Sequence, residues 1–337
     1  MKRKFNSLIR VLLPKFLRRY IKDASESMTR LSPGKHKGLP KYNLAETQVY
    51  PNGNNLLATL AAATKLKLSN LEITKVTPVA SIGSCFAEEF AYFMEKNGYN
   101  YIRTEGDKLA ASANWGRVYT IPNLLQIVRY SSDDSYPVIV ENCSRGWFDP
   151  LRESMNPFHS TKNDAENEVI LHRKASFDAL TKCDVLIITL GQNEKWIDNK
   201  NSKVWVRIPP SDIMKSRGSD FSVEETGYQE NVDKLNEAVL ILKKINPDIT
   251  VLFTVSPVAA YATFVDPDVV SNSFANKCIL RAVVNDVVKK DPGQLFYFPS
   301  FEITLCDNPR NFRADNRHVK YATVDRIFSL FMKATSR

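Results

Sequence analysis

The sequence lacks the paired cysteines and histidines that build disulfide frameworks and zinc sites. Its five cysteines, Cys85, Cys143, Cys183, Cys278 and Cys306, are widely spaced, odd in number and contain no C-x-x-C pair. The four histidines show neither H-x-x-x-H nor H-x-x-E-H spacing. We therefore expect no metal site, no disulfide framework and a reducing, cytoplasmic environment.

Two further features are missing, namely long apolar runs and phosphate-binding loops. No window reaches the roughly 18 uninterrupted apolar residues of a membrane span. The apolar run at residues 8–13 is broken by Arg10 and is too short for a secretory signal core. Export and membrane spanning are therefore not expected. Because no G-x-G-x-x-G or Walker-type loop occurs, a dinucleotide-dependent or phosphoryl-transfer enzyme is disfavoured.

Positive charge is concentrated at the start of the chain. Residues 1–41 hold twelve Lys or Arg against Asp23 and Glu26, so this arm carries +10 and the remaining chain −1. Apolar side chains recur at helical spacing over residues 5–21, which predicts a basic amphipathic helix. Such a helix suits an anionic membrane surface, a partner or its own domain. Nucleic acid is not expected as a partner, because no basic stripe continues beyond the arm.

Four apolar runs have the length and composition of buried parallel strands. They are residues 76–82, 184–190, 249–255 and 295–298. Patterns of helical period alternate with them and close the chain at residues 324–331. The alternation predicts an α/β fold, a doubly wound and mainly parallel sheet with helices on both faces, preceded by the basic helix.

The chain divides into three predicted parts. Residues 1–31 are the basic amphipathic arm, residues 32–70 a linker or extended wrap, and residues 71–337 the main domain. The second part begins with a stretch rich in Pro, Gly, Lys and Asn. Within the domain, residues 131–174 and 198–227 are polar and irregular, so they are predicted to be insertions that cover one edge of the sheet.

The stretch at residues 79–87 carries the clearest chemical signal. A short apolar run ends in Gly83, and Ser84 and Cys85 open the helix that follows. Backbone N–H groups and the positive end of the helix dipole would favour a thiolate at Cys85 and hold a developing oxyanion. The alternative is an ordinary strand–helix turn with an inert buried thiol.

Other polar residues follow the later strands, and sites in open α/β sheets gather at these strand ends. Acyl transfer needs a nucleophile, a base, a carboxylate that orients the base and donors for the oxyanion. Cys85 or Ser84 can attack, His318 can act as the base, Asp315 can orient it and Asn193 can bind the oxyanion. Taken alone, Asn193 is equally compatible with a turn cap and His318 with an ordinary surface position.

Six short motifs stand in order along the chain, namely Gly83-Ser84-Cys85-Phe86-Ala87, Asn114-Trp115-Gly116-Arg117-Val118-Tyr119-Thr120, Gly191-Gln192-Asn193-Glu194, Thr254-Val255-Ser256-Pro257-Val258, Tyr297-Phe298-Pro299-Ser300 and Asp315-x-x-His318. Together they resemble the GSCFA domain family, which is itself similar to the SGNH/GDSL hydrolases. The resemblance covers roughly residues 75–335. It implies an SGNH/flavodoxin-like three-layer sandwich.

The resemblance also implies roles for individual residues. Asn193, Asp315 and His318 match the oxyanion asparagine and the Asp-x-x-His pair of SGNH enzymes, and Gly116 stands for the oxyanion glycine. The first block departs from their Gly-Asp-Ser, because Cys85 occupies the serine position and Ser84 the aspartate position. Cys85 is therefore the favoured nucleophile. A Gly-x-Cys in this block is also similar to acetyltransferases of bacterial polysaccharide loci.

Four further residues are candidates for substrate binding. Trp115, Arg117 and Tyr119 can line a sugar- or acyl-binding cleft, with a packed loop as the alternative, and Arg152 can bind a carboxylate or phosphate. We expect an acyl esterase or O-acyltransferase that acts on a carbohydrate, a polysaccharide or an acylated small molecule. It needs no cofactor, although transfer requires an acyl donor such as acyl-CoA.

The competing hypothesis is a non-catalytic carbohydrate- or partner-binding module on the same fold. The departure of the first motif, Gly83-Ser84-Cys85, from the Gly-Asp-Ser of the hydrolases motivates this hypothesis. In either case the predicted location is the cytoplasm. We additionally predict that residues 1–22 contact the anionic inner face of a membrane peripherally.

Overall fold

A computed structural model describes residues 45–51, 55–105, 111–153, 158–306 and 311–336. The chain divides into two units, residues 1–63 and residues 64–337. The predicted basic helix lies outside the described residues, so it and its membrane contact stay predictions. In the first unit, the described part contains a 3₁₀ turn at Glu46–Gln48 and most of a helix that ends at Lys67.

The bounds of the elements are as follows. The described helices are α1 (Leu56–Lys67), α2 (Cys85–Lys96), α3 (Ile121–Ser132), α4 (Lys162–Thr181), α5 (Ser211–Arg217), α6 (Tyr228–Ile245), α7 (Val269–Val288), α8 (Ser300–Leu305) and α9 (Tyr321–Thr335). The described strands are β1 (Val79–Gly83), β2 (Glu141–Cys143), β3 (Gly146–Phe148), β4 (Val185–Leu190), β5 (Glu194–Asp198), β6 (Lys203–Trp205), β7 (Phe221–Glu225), β8 (Thr250–Val255) and β9 (Leu295–Tyr297).

The central sheet has the order β1-β4-β8-β9, and all its strands are parallel. Its register places Gly83 opposite Thr189 and Thr189 opposite Thr254. An isolated parallel bridge between Val79 and Tyr101 extends the sheet beyond β1. All four predicted strands are present, and their carboxyl ends lie along the same edge of the sheet.

Helices cover both faces of this sheet. On one face, Ile82 and Phe253 belong to the same buried apolar cluster as Leu235 of α6 and Val284 of α7. On the other face lie α2 and α9, whose apolar stripes meet through a group of phenylalanines. For example, the ring centroids of Phe90 and Phe328 are 4.6 Å apart. Alternate side chains of a strand point to opposite faces, so each strand contributes to both layers. The predicted doubly wound, mainly parallel fold is confirmed.

The segments predicted to be extended or irregular contain regular secondary structure. Helix α1 occupies part of residues 32–70, because its sequence is built from leucine and alanine, which are strong helix formers. Residues 131–174 contain the β2–β3 hairpin and the first part of α4, and Thr161 caps that helix. Residues 198–227 contain β6 and β7, which pair with β5 in an antiparallel sheet.

A buried polar cluster surrounds His172 of α4, which is fully buried. Its Nδ1 lies 2.7 Å from Glu105 Oε2, and its Nε2 lies 3.0 Å from the Tyr130 hydroxyl. The burial of the ring, followed by the nearby Arg152 guanidinium, lowers the pKa of His172. The folded protein therefore holds this imidazole neutral under mildly acidic conditions.

This cluster predicts a loss of stability in mild acid. A histidine in the unfolded chain takes up a proton at about pH 6.5, so the unfolded state binds more protons than the folded state as pH falls. We expect His172 to cost up to about 1.4 kcal/mol of unfolding free energy per pH unit below that point. In urea titrations, the stability advantage of the parent over His172→Gln should shrink between pH 7.5 and 5.5. A constant difference would contradict a neutral His172.

Candidate active site

A cleft of about 610 Å³ opens beyond the carboxyl ends of the central strands. Loops that follow β1, β4 and β8, together with the loop before α9, contribute to its walls. Of the residues predicted to carry chemistry, Ser84, Cys85 and His318 all line it. The structure thus brings both nucleophile candidates and the candidate base to one cavity.

The strand–helix turn gives Ser84 and Cys85 different surroundings. Ser84 is buried, and its Oγ accepts a hydrogen bond from the backbone N–H of Phe86 at 3.3 Å, which makes it the N-cap of α2. Cys85 is the first residue of the helix and is partly exposed. Because the hydroxyl caps the helix, the thiol is the more available nucleophile.

The predicted preference of Cys85 for its thiolate form is wrong. Burial raises the pKa of the Cys85 thiol, and the carboxylate of Glu88, one turn further along α2, raises it further. Arg117 and Lys277 act in the opposite direction without reversing the shift. Cys85 is therefore a thiol at neutral pH, and chemistry at this residue requires a base.

His318 and Asp315 form the pair that the sequence predicts. The Nδ1 of His318 lies 2.5 Å from Asp315 Oδ2. The other carboxylate oxygen accepts the backbone N–H groups of His318 at 3.0 Å and of Arg317 at 3.1 Å. The hydrogen bond from His318, followed by these two, holds the pKa of Asp315 well below its usual range. The carboxylate therefore fixes the ring and leaves Nε2 for proton transfer.

The structure does not place Asn193 or Gly116 on the cleft. The Asn193 side chain is fully buried, where its Nδ2 donates to the carbonyl of Asn276 at 3.3 Å and its Oδ1 accepts from Asn231 at 3.0 Å. Gly116 instead has a positive φ of +65°, and a Cβ added there would lie 2.1 Å from the carbonyl oxygen of Glu153. The oxyanion roles predicted for Asn193 and Gly116 therefore find no support in this arrangement.

One oxyanion donor remains from the prediction, the backbone N–H of Cys85. As the first helical residue, Cys85 has no intrahelical acceptor for this group. The side chain of Gln192, which precedes the buried Asn193, lines the cleft and is partly exposed. Its amide is a further candidate donor for an oxyanion.

The four predicted substrate-binding residues divide into two pairs. Trp115 is fully buried and donates its Nε1–H to Ser176 Oγ at 2.8 Å, so it is a core residue. Arg152 is also buried, and Asp149 and Glu168 pair with it in the interior. Both predictions are corrected for the same reason, namely that the side chains are committed inside the domain. Arg117 and Tyr119 do line the cleft.

Lys277 of α7 is a further residue of the site that none of the predicted motifs contains. It is buried, its Nζ donates to the carbonyl of Gly191 on the cleft wall, and its burial lowers its pKa to about 7. A charged residue at helical spacing from the apolar Leu280 and Val284 was the available signal. The positive form of Lys277 lowers the pKa of the Cys85 thiol.

We expect Lys277→Met to slow alkylation of Cys85 by iodoacetamide about fivefold at pH 7, because the thiolate loses a nearby cation. The ratio of the parent rate to the variant rate should fall as pH rises above 7, where Lys277 loses its proton. Peptide mapping restricts the measurement to Cys85. Lys289→Met removes a charge from an exposed residue just beyond the same helix and should change nothing. A rate ratio independent of pH would contradict this electrostatic role.

Metal-ligand clusters and membrane-spanning helices are both absent from the described ranges. Within these ranges, no group of three or more His, Cys, Asp or Glu side chains is arranged to hold a metal ion. Among the same residues, no helix is both long and apolar enough to cross a bilayer. Cys85, Cys143, Cys183 and Cys278 are free thiols.

Several solved structures resemble this chain at low TM-scores. A family 3 carbohydrate esterase from Clostridium thermocellum is 10% identical with a TM-score of 0.34, and covers 77% of this chain and 94% of its own. A carbohydrate esterase family 3 structure from Talaromyces cellulolyticus is 7% identical with a TM-score of 0.38, and the match covers 77% of this chain and 95% of that structure. An acetyl xylan esterase from Butyrivibrio proteoclasticus is 12% identical with a TM-score of 0.27, and the match covers 67% of this chain and 55% of that structure. The function of this chain is therefore inferred from its own site.

A comparison with curated proteins gives no match. The GSCFA family model matches residues 78–331, which span the central sheet from β1 to β9 and most of α9. This range is about three quarters of the chain and includes Ser84, Cys85, Asp315 and His318. The chain belongs to the GSCFA family.

Proposed function

We propose that this protein is an SGNH-like acyl-transfer enzyme that acts on ester-linked acyl groups of a carbohydrate through Cys85. One observation carries the proposal. The partly exposed thiol and His318, whose ring is hydrogen-bonded to Asp315, line the same cleft although they are far apart in sequence. A nucleophile, a base and a carboxylate that orients the base are the parts that covalent acyl transfer requires.

The reaction proceeds through an acyl-enzyme. His318 Nε2 takes the proton from the Cys85 thiol as the sulfur attacks the carbonyl carbon of the ester. The backbone N–H of Cys85 donates to the oxyanion of the tetrahedral intermediate. When that intermediate collapses, the carbon–oxygen ester bond breaks, His318 returns the proton to the departing alcohol, and a thioester remains on Cys85.

The second half of the reaction decides between an esterase and an O-acyltransferase. Water or a sugar hydroxyl gives its proton to His318 and attacks the thioester, which releases the acid or the acylated sugar and restores the thiol. Transfer from a donor such as acyl-CoA would instead break the carbon–sulfur bond of the donor's own thioester in the first half, with His318 returning the proton to the CoA thiol, and would require the exclusion of water from the cleft. The raised pKa of Cys85 fits a mechanism in which His318 deprotonates the thiol during attack.

Intact-mass spectrometry after incubation with p-nitrophenyl acetate tests the nucleophile. The parent and Ser84→Ala should gain one acetyl group, whereas Cys85→Ala should gain none at this site. Because Cys278 is exposed and free, Cys278→Ala serves as the control for acylation outside the cleft. An adduct lost in Ser84→Ala and retained in Cys85→Ala would move the nucleophile to the serine.

A second candidate is a non-catalytic carbohydrate-binding module, and one observation favours it. The side chain of Asn193, the asparagine at the predicted oxyanion position, is buried in the interior. This alternative predicts no adduct on any variant, together with unchanged carbohydrate affinity in Cys85→Ala. The two measurements together separate the enzyme from the binding module.

A further inference from the structure

The charged side chains on the walls of the cleft are mostly positive. Three guanidinium groups line it, those of Arg117, Arg207 and Arg317, and among the described lining residues Glu194 is the single carboxylate. Glu194 is already engaged, because it accepts hydrogen bonds from the hydroxyl of Thr263 at 2.8 Å and from a backbone N–H of the same loop. The cleft therefore offers more positive than negative groups to a ligand.

The three arginines differ in how free they are. Arg117 is paired with Glu88 at 3.0 Å. Arg317 donates through Nε and Nη2 to the carbonyl of Ala259, at 3.2 and 3.1 Å, so Nη1 remains for a ligand. Arg207 is exposed, and no hydrogen bond or ion pair joins its side chain to another residue in the described part of the chain. An unengaged guanidinium on a cleft wall is a binding group for an oxyanion.

Two exposed aromatic rings also line the cleft, and one of them lies beside an arginine. Tyr261 is 84% exposed and Phe264 is 54% exposed, and both line the cleft. The guanidinium of Arg317 lies 5.1 Å from the Tyr261 ring, and Trp196 supports Phe264 in an edge-to-face contact at 5.2 Å. Exposed aromatic faces at a cleft commonly serve a ligand, and flat rings pack well on the apolar faces of sugars.

We propose that the ligand of this cleft is an acidic carbohydrate, whose sugar ring packs on Tyr261 and Phe264 while its carboxylate binds Arg207 and Arg317. This proposal rests on the proposed function insofar as that function assigns a carbohydrate to the cleft. A guanidinium also binds phosphate. The Tyr261 face beside Arg317, in the cleft that Arg207 also lines, favours a carboxylate carried on a sugar ring over the phosphate of an acyl donor.

Isothermal titration calorimetry on Cys85→Ala, which cannot form the acyl-enzyme, tests binding separately from catalysis. The probes are tetragalacturonate with its methyl ester, a hyaluronan tetrasaccharide with its carboxyl-reduced form, and adenosine 3′,5′-bisphosphate as the phosphate arm. At least one acidic oligosaccharide should bind about tenfold more tightly than its neutral partner. In the double variant Cys85→Ala/Arg207→Gln, the acidic oligosaccharide should lose about this tenfold advantage in affinity over its neutral partner. Arg145→Gln removes one charge from an exposed residue that does not line the cleft and should preserve the advantage.

Equal affinity for each acidic probe and its neutral partner would overturn the proposal, as would an equal effect of the Arg207 and Arg145 substitutions. Binding of the bisphosphate alone would overturn it in favour of a phosphate-bearing donor. The proposed acyl-transfer function fails independently, when the parent forms no thioester with activated esters. Binding of acidic sugars to Cys85→Ala, combined with a parent protein that forms no thioester, would therefore support this proposal and remove the catalytic one.

Discussion

Replacement of His318 by alanine should slow acylation of Cys85 by about 10²- to 10⁴-fold at pH 7. The physical reason lies in the state of the thiol. Burial and Glu88 raise the pKa of Cys85 above its ordinary value of 9.0, so very little thiolate exists at neutral pH. Without a base that removes the proton during attack, the reaction depends on this small fraction. Stopped-flow measurement of p-nitrophenol release gives the rate directly.

The pH dependence distinguishes loss of a base from loss of structure. In His318→Ala the acylation rate should rise about tenfold per pH unit between pH 7 and 9, because it follows the thiolate fraction below the pKa of Cys85. The parent should show a shallower dependence over the same range. His159→Ala is the matched control, since His159 contacts the β2–β3 hairpin through its backbone and does not line the cleft. Parallel pH profiles for the parent and His318→Ala would exclude His318 as the base.

The sequence predicted the sheet well because the signals for parallel strands are local. Each central strand is a short, continuous apolar run, and each covering helix repeats its apolar residues at its own period. The loops at the strand ends then meet at one edge as a consequence of parallel topology. This is why Cys85 and His318 could be assigned to one site although 233 positions separate them in the numbering.

The direction of individual side chains in those loops was harder to predict. In extended chain, successive side chains point to opposite sides, so a shift by one residue reverses inside and outside. Gln192, Glu194 and Trp196 line the cleft, whereas Asn193 and Lys195 between them are buried. The motif locates this segment but does not determine which of its side chains face the cleft and which face the interior. That orientation depends on the pairing of β5 with β7 and on the buried partners of Asn193.

The turn that presents Cys85 depends on one glycine. At Gly83 the backbone has φ +145°, and a Cβ added at this position would lie 2.2 Å from the carbonyl oxygen of Thr189 on the neighbouring strand. The same carbonyl accepts the N–H of Ser84 at 3.0 Å, so it cannot move away without the loss of that bond. Gly83→Ala therefore combines backbone strain with a clash between two backbones, and we expect it to lower the unfolding free energy by about 4 kcal/mol.

Gly98→Ala separates the two contributions. Gly98 also has a positive φ, +68°, but an added Cβ there meets nothing within 4 Å. Its substitution should cost only the strain of a left-handed residue, about 1 to 2 kcal/mol. Urea unfolding at 25 °C compares the two variants, and equal midpoints would show that the close approach of β1 and β4 at Gly83 is not required. The expected difference would mean that the close approach of β1 and β4, beyond a positive φ alone, requires glycine at the turn that precedes Ser84 and Cys85.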